Sequence, residues 1–143
     1  MPAWVTVACT EYGKRLPRNW LKIIEIPLGT RHHAKSVNTA IAREGEQLLA
    51  AINERDKVIA LEVKGTPWST QELSEQLASW QMQGNNISLL IGGPNGLSSK
   101  CLAQTQQQWS LSPLTLPHPL VRIVLVEQLY RAWSILRNHP YHK

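Results

Sequence analysis

Two apolar runs break off into loops of Gly and Pro, and this constrains the fold more than any other feature of the chain. Residues 89–96 read Leu-Leu-Ile-Gly-Gly-Pro-Asn-Gly, and residues 114–122 read Leu-Thr-Leu-Pro-His-Pro-Leu-Val-Arg. Short apolar runs bounded by such breakers read as strands covered on both faces, the kind found in parallel sheets flanked by helices. In open α/β sheets ligands bind where strands end and loops begin. Two such endings in one small chain predict one shared pocket. Glycine lets a backbone approach a ligand closely, and proline holds a loop open.

The rest of the chain fits an α/β class. Residues 3–16 carry Trp4, Ala8 and Tyr12 at helical spacing. Residues 21–26, LKIIEI, read as a strand ending at Pro27, followed by a polar loop over 28–36 with Gly29, Arg31, His32 and His33. Residues 36–52 are predicted helical, with Val37, Ile41, Leu48, Leu49 and Ile52 on the apolar side. KVIALEV at 57–63 is a strand stopped by the breaker run KGTP. Ser69-Thr70-Gln71-Glu72 is a capping-box pattern, opening a helix with Leu73, Leu77 and Trp80 that Gly84 closes. A strand at 87–91, a short helix around 98–106, one or two short strands within 108–116 and a long helix over 119–137 complete the chain. A helix comes first, where a unit of this kind normally begins with a strand, which points to a missing strand.

At 143 residues the chain is expected to be one domain with a real core. The net charge of +5 permits an RNA partner without demanding one, since ordinary basic enzymes share it. Cys9 and Cys101 are far apart and in no metal-type spacing, which disfavours disulfides and zinc and suits a reducing cytoplasm. No signal peptide is evident, and the apolar stretch 119–136 is interrupted by Arg122, Glu127 and Arg131, so it reads as a buried helix rather than a membrane span.

The motifs are individually weak. GGPNG is neither a Walker A loop nor a G-x-G-x-x-G turn, and such a loop is most often a plain turn. Pro117-His118-Pro119 has the same bland reading, with His118 capping the last helix. No nucleophile–His pair suggests itself, so hydrolysis is unsupported. His32-His33 and His139-x-x-His142 lack acidic or Cys partners and read as surface histidines rather than metal ligands. Trp80 and Trp133 sit on apolar helical faces, where core packing is the better reading than base stacking.

Taken together, five motifs go further. Leu61-Glu62 with Gly65, Pro67 and Trp68; Leu90-Ile91-Gly92-Gly93-Pro94 with Gly96; Leu114-Thr115-Leu116-Pro117-His118 with Val121-Arg122; Glu127-Gln128-Leu129-Tyr130-Arg131-Ala132-Trp133; and Asn138-His139-Pro140-Tyr141-His142 occur in this order, with Glu44-Gly45-Glu46 alongside. The chain, from about Pro2 to Lys143, resembles the RlmH (YbeA) family, the ribosomal large subunit pseudouridine N3-methyltransferases of the SPOUT superfamily.

The resemblance implies a parallel sheet flanked by helices, with its C-terminal part tied into a deep trefoil knot that binds S-adenosylmethionine. It implies that Leu61, Gly92, Leu111, Ser112, Pro113, Leu114, Thr115 and Leu116 hold this cofactor. It implies a homodimer through the last helix, and methylation of N3 of a pseudouridine in helix 69 of 23S rRNA on assembled 70S ribosomes. Removing a proton from a uracil-type N3 needs a cation to favour the anion and a base to take the proton. Arg131 and Tyr141 are the candidates for acceptor placement, His118 for the proton, and Arg122, His142 and Lys143 for contacts to RNA. The bland reading of Arg122 and Arg131 is a salt bridge with Glu127 in a dimer. No metal and no membrane are expected. Two departures from the family are expected: its first strand is missing from this sequence, through a misplaced start or a true truncation, the latter of which would expose a sheet edge, and Lys143 stands where Arg is usual. Another SPOUT RNA methyltransferase, such as a tRNA ribose enzyme, and a non-catalytic RNA-binding remnant remain as alternatives.

Overall fold

The computed structural model describes residues 2–26, 37–93 and 96–143. The polar loop with Arg31, His32 and His33 lies outside the described residues, as do Pro94 and Asn95. The chain is α/β and divides into two compact units, one built of residues 1–23, 67–84 and 114–143, the other of 24–66 and 85–113.

The first unit is helical. Helix α1 (Ala3–Gly13) and helix α3 (Thr70–Gln83) both pack against the long helix α5 (His118–Leu136). The predicted face of α1 is corrected by one position. Val5 and Cys9 are buried against Val126, with Tyr12, Leu21 and Ile123 around them, whereas Trp4 is 54% exposed. Helix α3 starts as predicted: Ser69 Oγ accepts from the Glu72 amide and the Glu72 carboxylate accepts from the Ser69 amide, both at 3.1 Å. It ends at Gly84 in the left-handed region, φ 73°. Leu73, Leu77 and Trp80 are buried, and Trp68 lies against Trp80.

The second unit holds a three-stranded parallel sheet in the order β2-β1-β3, made of β1 (Lys57–Pro67), β2 (Ile87–Ile91) and β3 (Gln107–Ser110). The β1–β2 ladder runs from Lys57↔Ile87 to Leu61↔Ile91. Helix α2 (Val37–Ala51) and helix α4 (Ser99–Ala103) pack together, and Leu48, Leu49, Ile52 and Leu97 cover Val58, Leu90 and Cys101. Both cysteines are buried free thiols.

Two sequence expectations fail here. LKIIEI is not a strand: residues 21–26 take no sheet pairing, and Ile23 and Ile24 are each 53% exposed. Leu21 is spent on the α1–α5 core instead. The run KGTP does not stop β1, which continues through it to Pro67. Gly65 permits this because a Cβ there would lie 2.6 Å from the Gln108 backbone, so the two strands approach where only glycine fits. Beyond β3 no second strand follows around Ser112-Pro113.

Candidate active site

Helix α5 and the tail that follows it build a polar cluster in the helical unit. Glu127 and Arg131 are one turn apart on one face of α5, the geometry in which an i,i+4 pair meets. Arg131 reaches the same carboxylate oxygen, Glu127 Oε1, through Nε at 2.7 Å and Nη2 at 2.6 Å. Asn138 then turns the chain in the left-handed region at φ 54°, and the His139 amide donates to the Ser134 carbonyl at 2.9 Å. The reversal carries the tail back along the helix. The Tyr141 ring settles 4.5 Å from that of Tyr130, and its hydroxyl donates to Glu127 Oε1 at 3.0 Å. The Arg131 guanidinium lies over the Tyr141 ring at 4.7 Å. Arg131 Nη1 is 3.2 Å from His142 Nδ1, and because arginine only donates, that imidazole nitrogen is the acceptor.

The tail packs in part: Tyr141 and His142 are half-buried and Lys143 is exposed. The Glu127 ion pair forms with Arg131 inside one helix, and Arg122 turns instead to His118, its Nε donating to His118 Nε2 at 3.1 Å. His118 is the first residue of α5 and does not cap it; Pro117 holds the cap position. The lone pair on His118 Nε2 is thereby taken up by Arg122.

The electrostatics follow from burial and pairing. Burial, then the hydrogen bond to Glu127, raises the Tyr141 phenol above its ordinary range, so it is a donor at neutral pH and not a base. The hydrogen bond to Glu127 raises Arg131 in turn, fixing a permanent cation beside the tail.

In the sheet unit, the strand ends present a different surface. Leu61 is half-buried at the last rung of the β1–β2 ladder, and Val63 just beyond it is 52% exposed. Gly92 follows β2 directly, and Leu111, Ser112 and Pro113 follow β3, on either side of β1 in the sheet order. Ser110 Oγ donates to the Ser112 carbonyl at 3.1 Å, which fixes that turn. The GGPNG loop closes on itself through a bridge between Gly93 and Gly96. A Cβ on Gly92 would lie 2.7 Å from the Gly96 backbone of its own loop, so the turn itself calls for glycine there. Leu114 and Thr115 are exposed and Leu116 half-buried in the segment leading to α5.

Other candidates resolve as packing. Trp80 and Trp109 are buried, and Trp133 stacks on Tyr130. His139 Nδ1 accepts from the Tyr141 amide, and His139 and His142 hold the tail turn rather than each other. Among the described residues no group of three His, Cys, Asp or Glu comes together, and no described helix is long and apolar enough to cross a membrane.

Two residues were missed. Glu127 entered only as a partner in a dimer, although its spacing to Arg131 is legible. Arg15 gave no signal at all: its guanidinium lies 5.3, 5.6 and 6.0 Å from the rings of Tyr12, Tyr130 and Tyr141, the last two of them more than a hundred residues away in the chain.

A sheet with bare backbone loops at its strand ends, followed by a helix carrying a fixed cation and a folded-back aromatic tail, suits group transfer onto a bound acceptor. A family model described as "Predicted SPOUT methyltransferase" matches residues 1–142. Ribosomal RNA large subunit methyltransferase H of Saccharophagus degradans is 55% identical over 144 aligned positions, which cover all of this chain and 93% of the relative. The proteins of the same name from Marinomonas sp. (strain MWYL1) and Hahella chejuensis are 52% and 53% identical over the whole chain, covering 93% and 92% of their lengths. The chain belongs to the SPOUT methyltransferases and, within them, to the ribosomal RNA large subunit methyltransferase H family.

It is therefore a methyltransferase whose donor is S-adenosylmethionine. At the strand ends, residues 92–93 and 111–113 carry no charged side chain, and Leu61 and Leu111 are half-buried, a composition compatible with an uncharged adenosine.

Proposed function

We propose that this chain methylates N3 of a pseudouridine in helix 69 of 23S rRNA, acting as a homodimer on assembled 70S ribosomes in the cytoplasm. The observation that carries the reading is the identity of 52–55% over the full chain to relatives named for large-subunit rRNA methylation. The folded-back tail supports it, because a permanent cation and an aromatic ring side by side suit an anionic pyrimidine. We read the chain as a single SPOUT domain, with the C-terminal trefoil knot of that superfamily.

The cofactor supplies a methyl group already activated on a sulfonium. What remains for the protein is positioning and one proton. On the cofactor side we assign Leu61, Gly92, Leu111, Ser112 and Pro113, continued along the chain by Leu114, Thr115 and Leu116. On the acceptor side, the Arg131 guanidinium stabilises negative charge on the ring as the N3–H bond breaks. Glu127 holds Arg131 in that orientation. Tyr141, kept protonated by burial and Glu127, offers its ring face for stacking. His118 is the proton acceptor. Its Nε2 takes the proton when the Arg122 hydrogen bond opens, and Arg122 is released toward RNA phosphate together with His142 and Lys143.

The test is incubation of ribosomes lacking this modification with the protein and S-adenosylmethionine, beside free 23S rRNA and bulk tRNA. Nucleoside mass spectrometry then locates the methyl group. Methylpseudouridine from ribosomes alone is expected. Methylated tRNA ribose would replace this reading with the tRNA alternative.

A further inference from the structure

We propose that the turn segment after α1, residues 14–22, is a phosphate-binding strip for the RNA backbone, with Arg18 and Lys22 as its contacting cations. The proposal deepens the RNA reading above and rests on it. The charge excess of the chain is not evenly spread. The helical unit holds eight Lys and Arg against four Glu, whereas the sheet unit holds seven against six acidic residues. Half of those eight cations lie in the nine residues Lys14-Arg15-Leu16-Pro17-Arg18-Asn19-Trp20-Leu21-Lys22.

The fold sorts this segment by side-chain type. Leu16 is buried, Trp20 and Leu21 are half-buried, and all four cations are exposed. Two tight turns do the sorting, with Leu16 N donating to the Gly13 carbonyl and Trp20 N to the Pro17 carbonyl, and with Asn19 in the left-handed region at φ 62°. Glu11 is the acid that answers this charge, and it is spent. Its carboxylate binds Lys14 at 2.8 Å and Arg15 at 2.9 Å, and the Lys14 hydrogen bond, then that of Arg15, holds it below the usual carboxylate range. Arg18 and Lys22 have no ion-pair partner among the described residues.

The strip is also continuous with the tail. Arg15 joins them, stacked between Tyr12, Tyr130 and Tyr141. An RNA strand whose base is held beside Tyr141 and Arg131 would run its phosphates onto a surface that already begins at Arg15. A row of exposed cations of which two, Arg18 and Lys22, have no ion-pair partner among the described residues, beside an aromatic cluster, is what a polyanion backbone recognises. Neutralising phosphates releases counterions, so each contact adds about 0.7 to 0.9 to the salt slope of binding.

The experiment measures binding of a fluorescently labelled RNA hairpin across a salt series, for the wild type, Arg18→Gln/Lys22→Gln, and the control Arg55→Gln/Arg137→Gln. The control removes the same charge from exposed positions elsewhere. The strip variant is expected to lower the salt slope by about one to two. It should raise the KM for ribosomes while leaving kcat and S-adenosylmethionine affinity unchanged. A wild-type slope in the strip variant would overturn the proposal, as would an equal loss in the control, which would show net charge alone at work. Wild-type protein that binds RNA but methylates no rRNA would defeat the functional reading, while the slopes would still decide the strip.

Discussion

Glu127 holds the tail with a single oxygen. Oε1 takes both Arg131 nitrogens and the Tyr141 hydroxyl, and Oε2 takes Gln128. Removing its charge leaves Arg131 without its anion and Tyr141 with a weaker acceptor. Hydrogen bonds to charged groups are worth about 1.5–3 kcal/mol. Glu127→Gln is therefore expected to slow methyl transfer roughly ten- to a hundredfold. Calorimetry should show cofactor affinity unchanged, and equal loss of both would remove Glu127 from the acceptor side. Tyr141 adds a pH dependence. Its folded pKa lies above the unfolded phenol value of 10.0, so the folded state keeps the proton longer. That stability is fully present below the unfolded value and is lost as pH rises through the folded one. Chemical denaturation at rising alkaline pH should show a smaller loss in Tyr141→Phe than in the wild type. Parallel losses would mean the phenol is not coupled to folding.

At the scale of elements, glycines mark where backbones touch. Gly65 brings β1 against β3, and Gly45 on α2 faces Ser98 and Cys101 at the start of α4. Overpacking a close contact costs about 1–3 kcal/mol. Gly65→Ala is expected to lower the calorimetric Tm by several degrees, and an unchanged Tm would show that the strands can part without cost. The α3 capping box is the opposite case, fully legible in the sequence and confirmed atom by atom. Ser69→Ala should cost about 1 kcal/mol in denaturant unfolding. Legibility follows the range of the interaction. Local signals such as Ser69-x-x-Glu72, Gly84 and the i,i+4 pair Glu127–Arg131 carry their own geometry. LKIIEI misled because strand propensity says nothing about whether a partner strand is available. KGTP misled because glycine in a strand signals close approach as well as a break.

At the scale of the whole molecule, the excess of positive charge belongs to the unit that carries α5 and the tail, whereas strands β1–β3 belong to the other unit. This division of labour was beyond sequence reasoning, because it depends on which distant segments share a unit. Arg15 beside Tyr141 is the clearest instance. The candidate residues themselves were legible through the five ordered motifs, though not their partners. Helix α5 uses much of its apolar surface within its own unit, burying Leu125, Val126, Leu129, Tyr130 and Ala132, while Leu120 stays 42% exposed. A homodimer through α5 is expected in sedimentation at micromolar concentration, and a monomer with cofactor present would count against it.

The central claim is that the folded-back tail belongs to the acceptor chemistry and not merely to packing. Deleting residues 139–143 tests it most directly, with rRNA from treated ribosomes read by mass spectrometry. The wild type is expected to add one methyl group to pseudouridine. The truncated protein, folded and with near-normal S-adenosylmethionine affinity, is expected to add none. Full methylation by the truncated protein would contradict the account and reduce Tyr141 and His142 to an ordered chain end.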